Sequence, residues 1–243
     1  MAKQPHLLVE PGDVNEIALV PGDPDRVDRI AAHCEDVEKV SENREYKVVN
    51  ATYGGVPLTI CSTGIGCPSA AIAIEELSKV GVETVVRVGT TGATQEYVEI
   101  GDMVIATGAA KEEGTSKRYE DAEIPAVPDY DVLTSLVDAA ESNDEHVHVG
   151  PIASDDAFYA ETDEYVAEWE SAGILSVEME AAAIFSIARR KGMRAGAICT
   201  ADGNLVKGTQ KGATEEDELP EKAKNNVGRA IELTLDAVVD LYE

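Results

Sequence analysis

The stretch Thr84-Val85-Val86-Arg87-Val88-Gly89-Thr90-Thr91-Gly92 is where the fold becomes readable. A β-branched apolar run met by a Gly-bearing segment predicts a strand over 84–88 with that segment directly after it. The same punctuation recurs twice. Pro21-Gly22-Asp23-Pro24 follows a predicted strand over 17–20, and Ser62-Thr63-Gly64-Ile65-Gly66 closes one over 57–62. Further strands are predicted over 46–53, 103–107, 146–152 and 194–200. Helical patterns cover 24–32, 68–80, 131–142, 163–172, 178–191 and 220–242, with Pro68 and Pro220 suited to a first helical turn. Alternation of strands and helices predicts an α/β fold, a mixed central β-sheet flanked by helices. No linker or repeat interrupts residues 1–243, which read as a single domain. Ligands in such folds gather beyond the carboxyl ends of strands, where these glycines lie.

Composition narrows the function. The chain has 243 residues, 44% of them hydrophobic, so a full core is expected. Lys and Arg total 20 against 47 Asp and Glu, a formal charge of −27. Such a chain repels phosphate backbones and anionic bilayers, which excludes general nucleic-acid and membrane-surface binding. No apolar run nears the roughly 20 residues of a membrane span, and no signal peptide is visible. Four scattered cysteines without a C-x-x-C pair point to a reducing cytoplasm. The acidic residues are spread along the whole chain, a pattern expected of an enzyme from a high-salt interior.

Three segments carry candidate chemistry. Arg87, one of nine arginines, stands beside glycines and threonines that could help it hold an oxyanion; a pairing with one of the many carboxylates reads equally well. Glu178-Met179-Glu180 opens a run of small residues; either glutamate could grip a sugar diol, although helix-start glutamates favoured by the dipole are the commoner case. Asp202, before Gly203, suits a general acid or an ordinary turn aspartate. Thr63-Gly64-Ile65-Gly66-Cys67-Pro68-Ser69 lacks the third glycine of a dinucleotide fingerprint, so no nicotinamide cofactor is expected.

Taken together, these pieces resemble the hexameric nucleoside phosphorylase family, which includes uridine phosphorylases and bacterial-type purine nucleoside phosphorylases. The likeness runs from His6 to about Thr209. It rests on Pro21-Gly22-Asp23-Pro24 with Arg26, Asn43-Arg44-Glu45-Tyr46, Ser62 to Gly66, Arg87 to Ala93, Phe158-Tyr159 and Glu178-Met179-Glu180. The resemblance implies a site in which Gly22, Arg26, Arg87 and Thr90 hold phosphate, joined by Arg44 from a neighbouring subunit. It implies ribose contacts from Met179, Glu180 and Glu178, with His6 entering from the partner. It also implies base contacts from Phe158, Thr91 and Asp202, with Asp202, Arg87 and Glu180 carrying catalysis. Nucleoside and inorganic phosphate are the implied substrates. No organic cofactor is implied. Glu45, Ile65 and Ser69 match residues that hold K⁺ at a dimer interface, and the implied assembly is a hexamer built as a trimer of dimers.

The base is contested between two sets of residues. The stretch 60–93 is similar to uridine phosphorylases, but Thr162 and Glu164 stand where those enzymes place a uracil-reading Gln and Arg. Asp202-Gly203 resembles the turn that reaches purine N7 in protozoan purine enzymes. A purine nucleoside, guanosine or inosine, is therefore the favoured substrate, with uridine the alternative. A hydrolase of the same superfamily and a non-catalytic nucleoside-binding protein are the more distant readings; the arginines and Glu180 count against both. Residues 204–220 read as a flap over the base.

Overall fold

The computed structural model describes residues 3–209 and 221–242. Among the described residues nine strands form one sheet: β1 (Ile17–Leu19), β2 (Glu35–Asn43), β3 (Tyr46–Tyr53), β4 (Val56–Cys61), β5 (Thr84–Ala93), β6 (Met103–Lys111), β7 (Val147–Ser154), β8 (Ser176–Glu178) and β9 (Arg194–Asn204). The helices are α1 (Pro24–Ala31), α2 (Cys67–Val80), α3 (Ser116–Tyr119), α4 (Tyr130–Ser142), α5 (Asp163–Ser171), α6 (Ala181–Lys191) and α7 (Glu221–Tyr242). The expected mixed sheet flanked by helices is present.

β5 is the axis of the sheet. On one side it pairs with β1, then β4, β3 and β2 follow. On the other side its pairings close a ring, β5–β9–β6–β7–β8 and back to β5. Parallel and antiparallel pairs both occur in that ring, as a mixed sheet requires. One apolar cluster lies under α2 and α6, with Phe185 and Ile74 fully buried. A second lies under α1, α4 and α7, with Ile30, Leu136 and Ile231 at its centre. Both faces of β5 are thus covered, which explains its unbroken apolar start.

Four strands run further than expected: β6 passes 107 to reach Lys111, β7 passes 152 to reach Ser154, and the overruns of β5 and β9 shape the site. The strand expected to end at 88 runs on through the Gly-bearing segment: β5 continues to Ala93 because β9 pairs with it from Thr84↔Arg194 to Ala93↔Asn204. β9 likewise passes Thr200 and ends at Asn204. Within that ladder Thr91 faces Ala201 but Gly92 faces Gly203, so Asp202 is the extra residue of a β-bulge. The helix expected over 178–191 starts at Ala181, because Glu178 closes β8 and its carboxylate caps the helix. The start expected at Pro220, and residues 210–220 of the expected flap, lie outside the described residues.

Local chemistry sets the loops that matter. Asp23 caps α1 by accepting from the Asp25 N–H at 2.9 Å, and Pro24 occupies the first turn, so the chain enters α1 pointing Arg26 inward. Gly64 adopts φ +71°, and a Cβ there would lie 2.6 Å from Glu45 Cγ and 2.7 Å from Ser69 Oγ. None of the helices among the described residues is long and apolar enough to cross a membrane.

Candidate active site

Arg87 leaves β5 into a cavity of about 760 Å³ at the carboxyl ends of β1, β4 and β5. Its side chain is almost wholly buried and faces two carboxylates. Nε lies 2.8 Å from Glu178 Oε2, and Nη2 is ion-paired with Glu180 Oε2. Burial works to lower the Arg87 pKa, but the two glutamates outweigh it and raise it above its ordinary value. Nη1 is turned to no acceptor among the described residues. The Gly22 backbone covers that edge: a Cβ on Gly22 would lie 3.9 Å from Nη1 and 3.2 Å from the Gly64 carbonyl oxygen.

Arg26 joins Arg87 from α1. Its Nη1 donates to the Val88 carbonyl at 3.2 Å, next in chain to Arg87, while its Nε has no hydrogen-bond partner among the described residues. Burial, and then the neighbouring Arg87 charge, push the Arg26 pKa down. Two buried guanidiniums side by side, each with an unused N–H, form a site suited to an oxyanion.

The two glutamates have different tasks. Glu178 accepts from the backbone N–H groups of Glu180 and Ala181 at 2.9–3.0 Å, and Ser154 Oγ also donates to it. It is the helix-start glutamate and the Arg87 counter-ion at once. Glu180 accepts from the Gly66 N–H at 2.6 Å through Oε1. Burial raises the Glu180 pKa more than Arg87 lowers it. Its carboxylate lines the cavity beside Met179.

The base-side wall comes from β9 and from the connection after β7. The bulge carries Asp202 to the cavity, with Gly203 and Leu205 next to it. Phe158 sits in a 3₁₀ turn over 158–160 and packs edge-on against Tyr159 at 5.0 Å. Thr91 lines the same wall, but its hydroxyl donates to the Val177 carbonyl at 2.8 Å.

Of the residues singled out from sequence, Gly22, Arg26, Arg87, Thr90, Thr91, Phe158, Glu178, Met179, Glu180 and Asp202 share this one cavity. Glu45, Ile65 and Ser69 reach its rim; Ser69 Oγ donates to Glu45 Oε1 at 3.0 Å. His6 and Arg44 do not line it. His6 lines a second cavity of about 520 Å³, with Nδ1 2.6 Å from Glu76 Oε1. Arg44 occupies the β2–β3 turn at φ +56°.

The sequence matches the Phosphorylase superfamily over residues 16–240. The chain belongs to that superfamily. A guanosine phosphorylase from Halorubrum lacusprofundi is 72% identical over 99% of this chain and the whole of its own length. The uridine phosphorylase of Escherichia coli is 36% identical, covering 91% of this chain and 90% of that enzyme. The crystal structure of a uridine phosphorylase from Vibrio fischeri superposes with a TM-score of 0.90 at 35% identity, over 99% of this chain and 98% of that one.

Membership and geometry together single out cavity residues that the motifs did not. Asp155, Glu161 and Leu205 line the wall around Phe158 and Asp202. Neither acid stands out in a chain of 47 acidic residues; only their placement does. Thr162 and Glu164, at the positions that uracil-reading residues would hold, are outside the wall, and Thr162 is spent capping α5 by accepting from the Tyr165 N–H at 3.2 Å.

Proposed function

We propose that this phosphorylase cleaves purine nucleosides with inorganic phosphate, guanosine foremost, releasing free base and ribose 1-phosphate. The observation that carries the reading is Arg87. One buried guanidinium has an unused N–H edge on the Gly22 side while its other nitrogens hold Glu178 and Glu180, and Arg26 lines the same cavity.

The chemistry follows from that arrangement. Gly22, Arg26, Arg87 and Thr90 hold phosphate against the anomeric carbon. Glu180, fixed by Gly66 and Arg87, accepts from the sugar hydroxyls, with Met179 against the sugar and Glu178 anchoring Arg87. A phosphate oxygen forms the new C1′–O bond as the C1′–N bond breaks, and the sugar passes through an oxocarbenium-like state opposite the anion. The electron pair of the broken bond goes to the base. Asp202, brought into the wall by the bulge, protonates or hydrogen-bonds N7 as that charge arrives. Phe158 and Thr91 flank the base.

Guanosine is preferred to uridine on two grounds. The relative that shares 72% of its residues is named for guanosine, and Thr162 and Glu164 offer uracil nothing inside the cavity. Uridine remains the second reading because several relatives at 33–42% identity carry that name.

His6 and Arg44 are proposed to complete the site of a neighbouring subunit, which makes a dimer the smallest active unit and a hexamer of three dimers the full assembly. Glu45, Ile65 and Ser69 are proposed to hold K⁺. The fit is one of donor type: Glu45 and Ser69 bring oxygens together, and Glu45 is kept below the ordinary carboxylate pKa, first by its own backbone N–H, so it stays anionic. The enzyme is further read as cytoplasmic, adapted to high salt and serving nucleoside catabolism or salvage.

Initial rates for guanosine, inosine, adenosine, uridine and thymidine, at fixed phosphate in molar KCl, test the base preference. Guanosine and inosine should lead. Uridine in first place would overturn the purine reading.

A further inference from the structure

We infer that Glu161 reads the guanine base, its carboxylate accepting from N1–H and from the 2-amino group together. This rests on the guanosine reading and deepens it.

Position is the first reason. Glu161 directly follows the 3₁₀ turn that presents Phe158, and directly precedes Thr162, the cap of α5. A turn on one side and a capped helix on the other hold its backbone, at φ −66° and ψ 112°. Its side chain lines the same cavity as Phe158, Met179 and Asp202.

Charge is the second reason. Asp155 lines that wall too. Its carboxylate accepts from the Ala157 N–H at 2.8 Å, and its own N–H donates to the Glu178 carbonyl at 2.9 Å. Burial, then the Asp155 charge, push the Glu161 carboxyl up to about 7. Two partly buried acids on one wall are a poor surface for a ring edge rich in acceptors and a good one for an edge rich in donors.

The bases differ sharply on this criterion. Guanine presents two adjacent N–H donors, N1–H and 2-NH₂, spaced for one carboxylate. Hypoxanthine presents only N1–H. Adenine presents a lone pair at N1. Uracil presents one N–H between two carbonyl oxygens, which a carboxylate repels. Asp202 comes from β9 and Glu161 from the β7–α5 connection, so a purine held between them offers N7 to the first and N1–H with 2-NH₂ to the second. A site built to pair such donors discriminates strongly against analogues that lack them.

The test is the ratio of kcat/KM for guanosine to that for inosine, two substrates that differ by the 2-amino group alone. The unaltered enzyme should favour guanosine. Glu161→Gln and Glu161→Ala should each bring the ratio close to unity, through a loss on guanosine of about ten- to a hundredfold and a smaller loss on inosine. A purely structural role would lower both substrates alike and leave the ratio unchanged; that result overturns the inference. Should the variants fail to fold, 1-methylguanosine on the unaltered enzyme decides. At least tenfold weaker turnover than guanosine is expected, and equal turnover overturns the inference. A wild-type preference for uridine over guanosine would bring down the substrate reading and this inference with it, whereas a guanosine preference that survives both substitutions brings down the inference alone.

Discussion

Arg87 and Glu180 are ion-paired in the floor of the cavity, Nη2 to Oε2, with Arg87 only 3% exposed. On the proposed reading the pair joins the two halves of the reaction: the arginine assigned to phosphate also orients the carboxylate assigned to the sugar, so that phosphate and ribose are registered against each other through one side chain.

Arg87→Ala should therefore damage more than phosphate affinity. Loss of a preorganised cation opposite the developing charge should lower kcat/KM by about two to three orders of magnitude. Glu178 and Glu180 would be left buried without their counter-ion, at a cost in stability of about 3 kcal/mol. Steady-state rates at varied phosphate, with denaturant melts alongside, measure both. Turnover within a few-fold of wild type would contradict the assignment.

Gly89 is where Arg87 lies down. A Cβ there would meet Arg87 Nη2 at 2.8 Å, Cζ at 2.9 Å and Cys199 Sγ at 3.0 Å. Gly89→Ala should displace the guanidinium by a fraction of an ångström to an ångström and reduce kcat/KM for phosphate by up to about a hundredfold. The fold should survive, since β5 is extended at this point. An alanine variant with normal phosphate kinetics would show that the guanidinium does not need that seat.

Away from the site, Glu120 is buried between Lys111 Nζ at 2.7 Å on β6 and Arg189 Nη2 at 2.7 Å on α6. Burial alone would raise its pKa, but hydrogen bonds from Lys111 and Arg189 prevail and lower it. A lowered folded-state pKa stabilises the protein above the ordinary carboxylate value, and that stabilisation drains away as pH falls through the folded value. Glu120→Gln should thus cost about 3 kcal/mol at pH 7, and the gap to wild type should narrow in acid. Urea melts across pH 3–8 would show it; a gap independent of pH would refute it.

Self-repulsion from a formal charge of −27 should make stability depend on salt. The melting temperature should climb as KCl is raised from 0.1 M to molar concentrations. A flat or falling trend would remove the high-salt reading and leave the catalytic account untouched.

Much of this architecture could be read from residue patterns, for physical reasons. The strand over 46–53 shows both ends in its composition, and Asp23-Pro24 writes the start of α1 in cap chemistry. β2 was invisible because Glu35–Asn43 is a mostly polar, mostly exposed edge strand whose two valines, Val37 and Val40, stand three apart, so no alternation marks it. The segments after Val88 and Thr200 read as strand ends because each carries glycine, with Asp202 and Asn204 beside it in the second. They are strands because β5 and β9 satisfy each other's backbone, a long-range fact that local propensity does not contain. Motif order located the Arg87, Glu180 and Asp202 cluster. Glu161 and Asp155 stayed hidden, since partial burial is what distinguishes them from their many acidic neighbours.

The most direct test of the central claim is to follow guanosine cleavage by the wild-type enzyme in molar KCl while phosphate is titrated from zero, with products read by ³¹P NMR. The account predicts no cleavage without phosphate, saturation with it, and one ribose 1-phosphate for each guanine released. Guanine release that proceeds without phosphate and yields free ribose would contradict it.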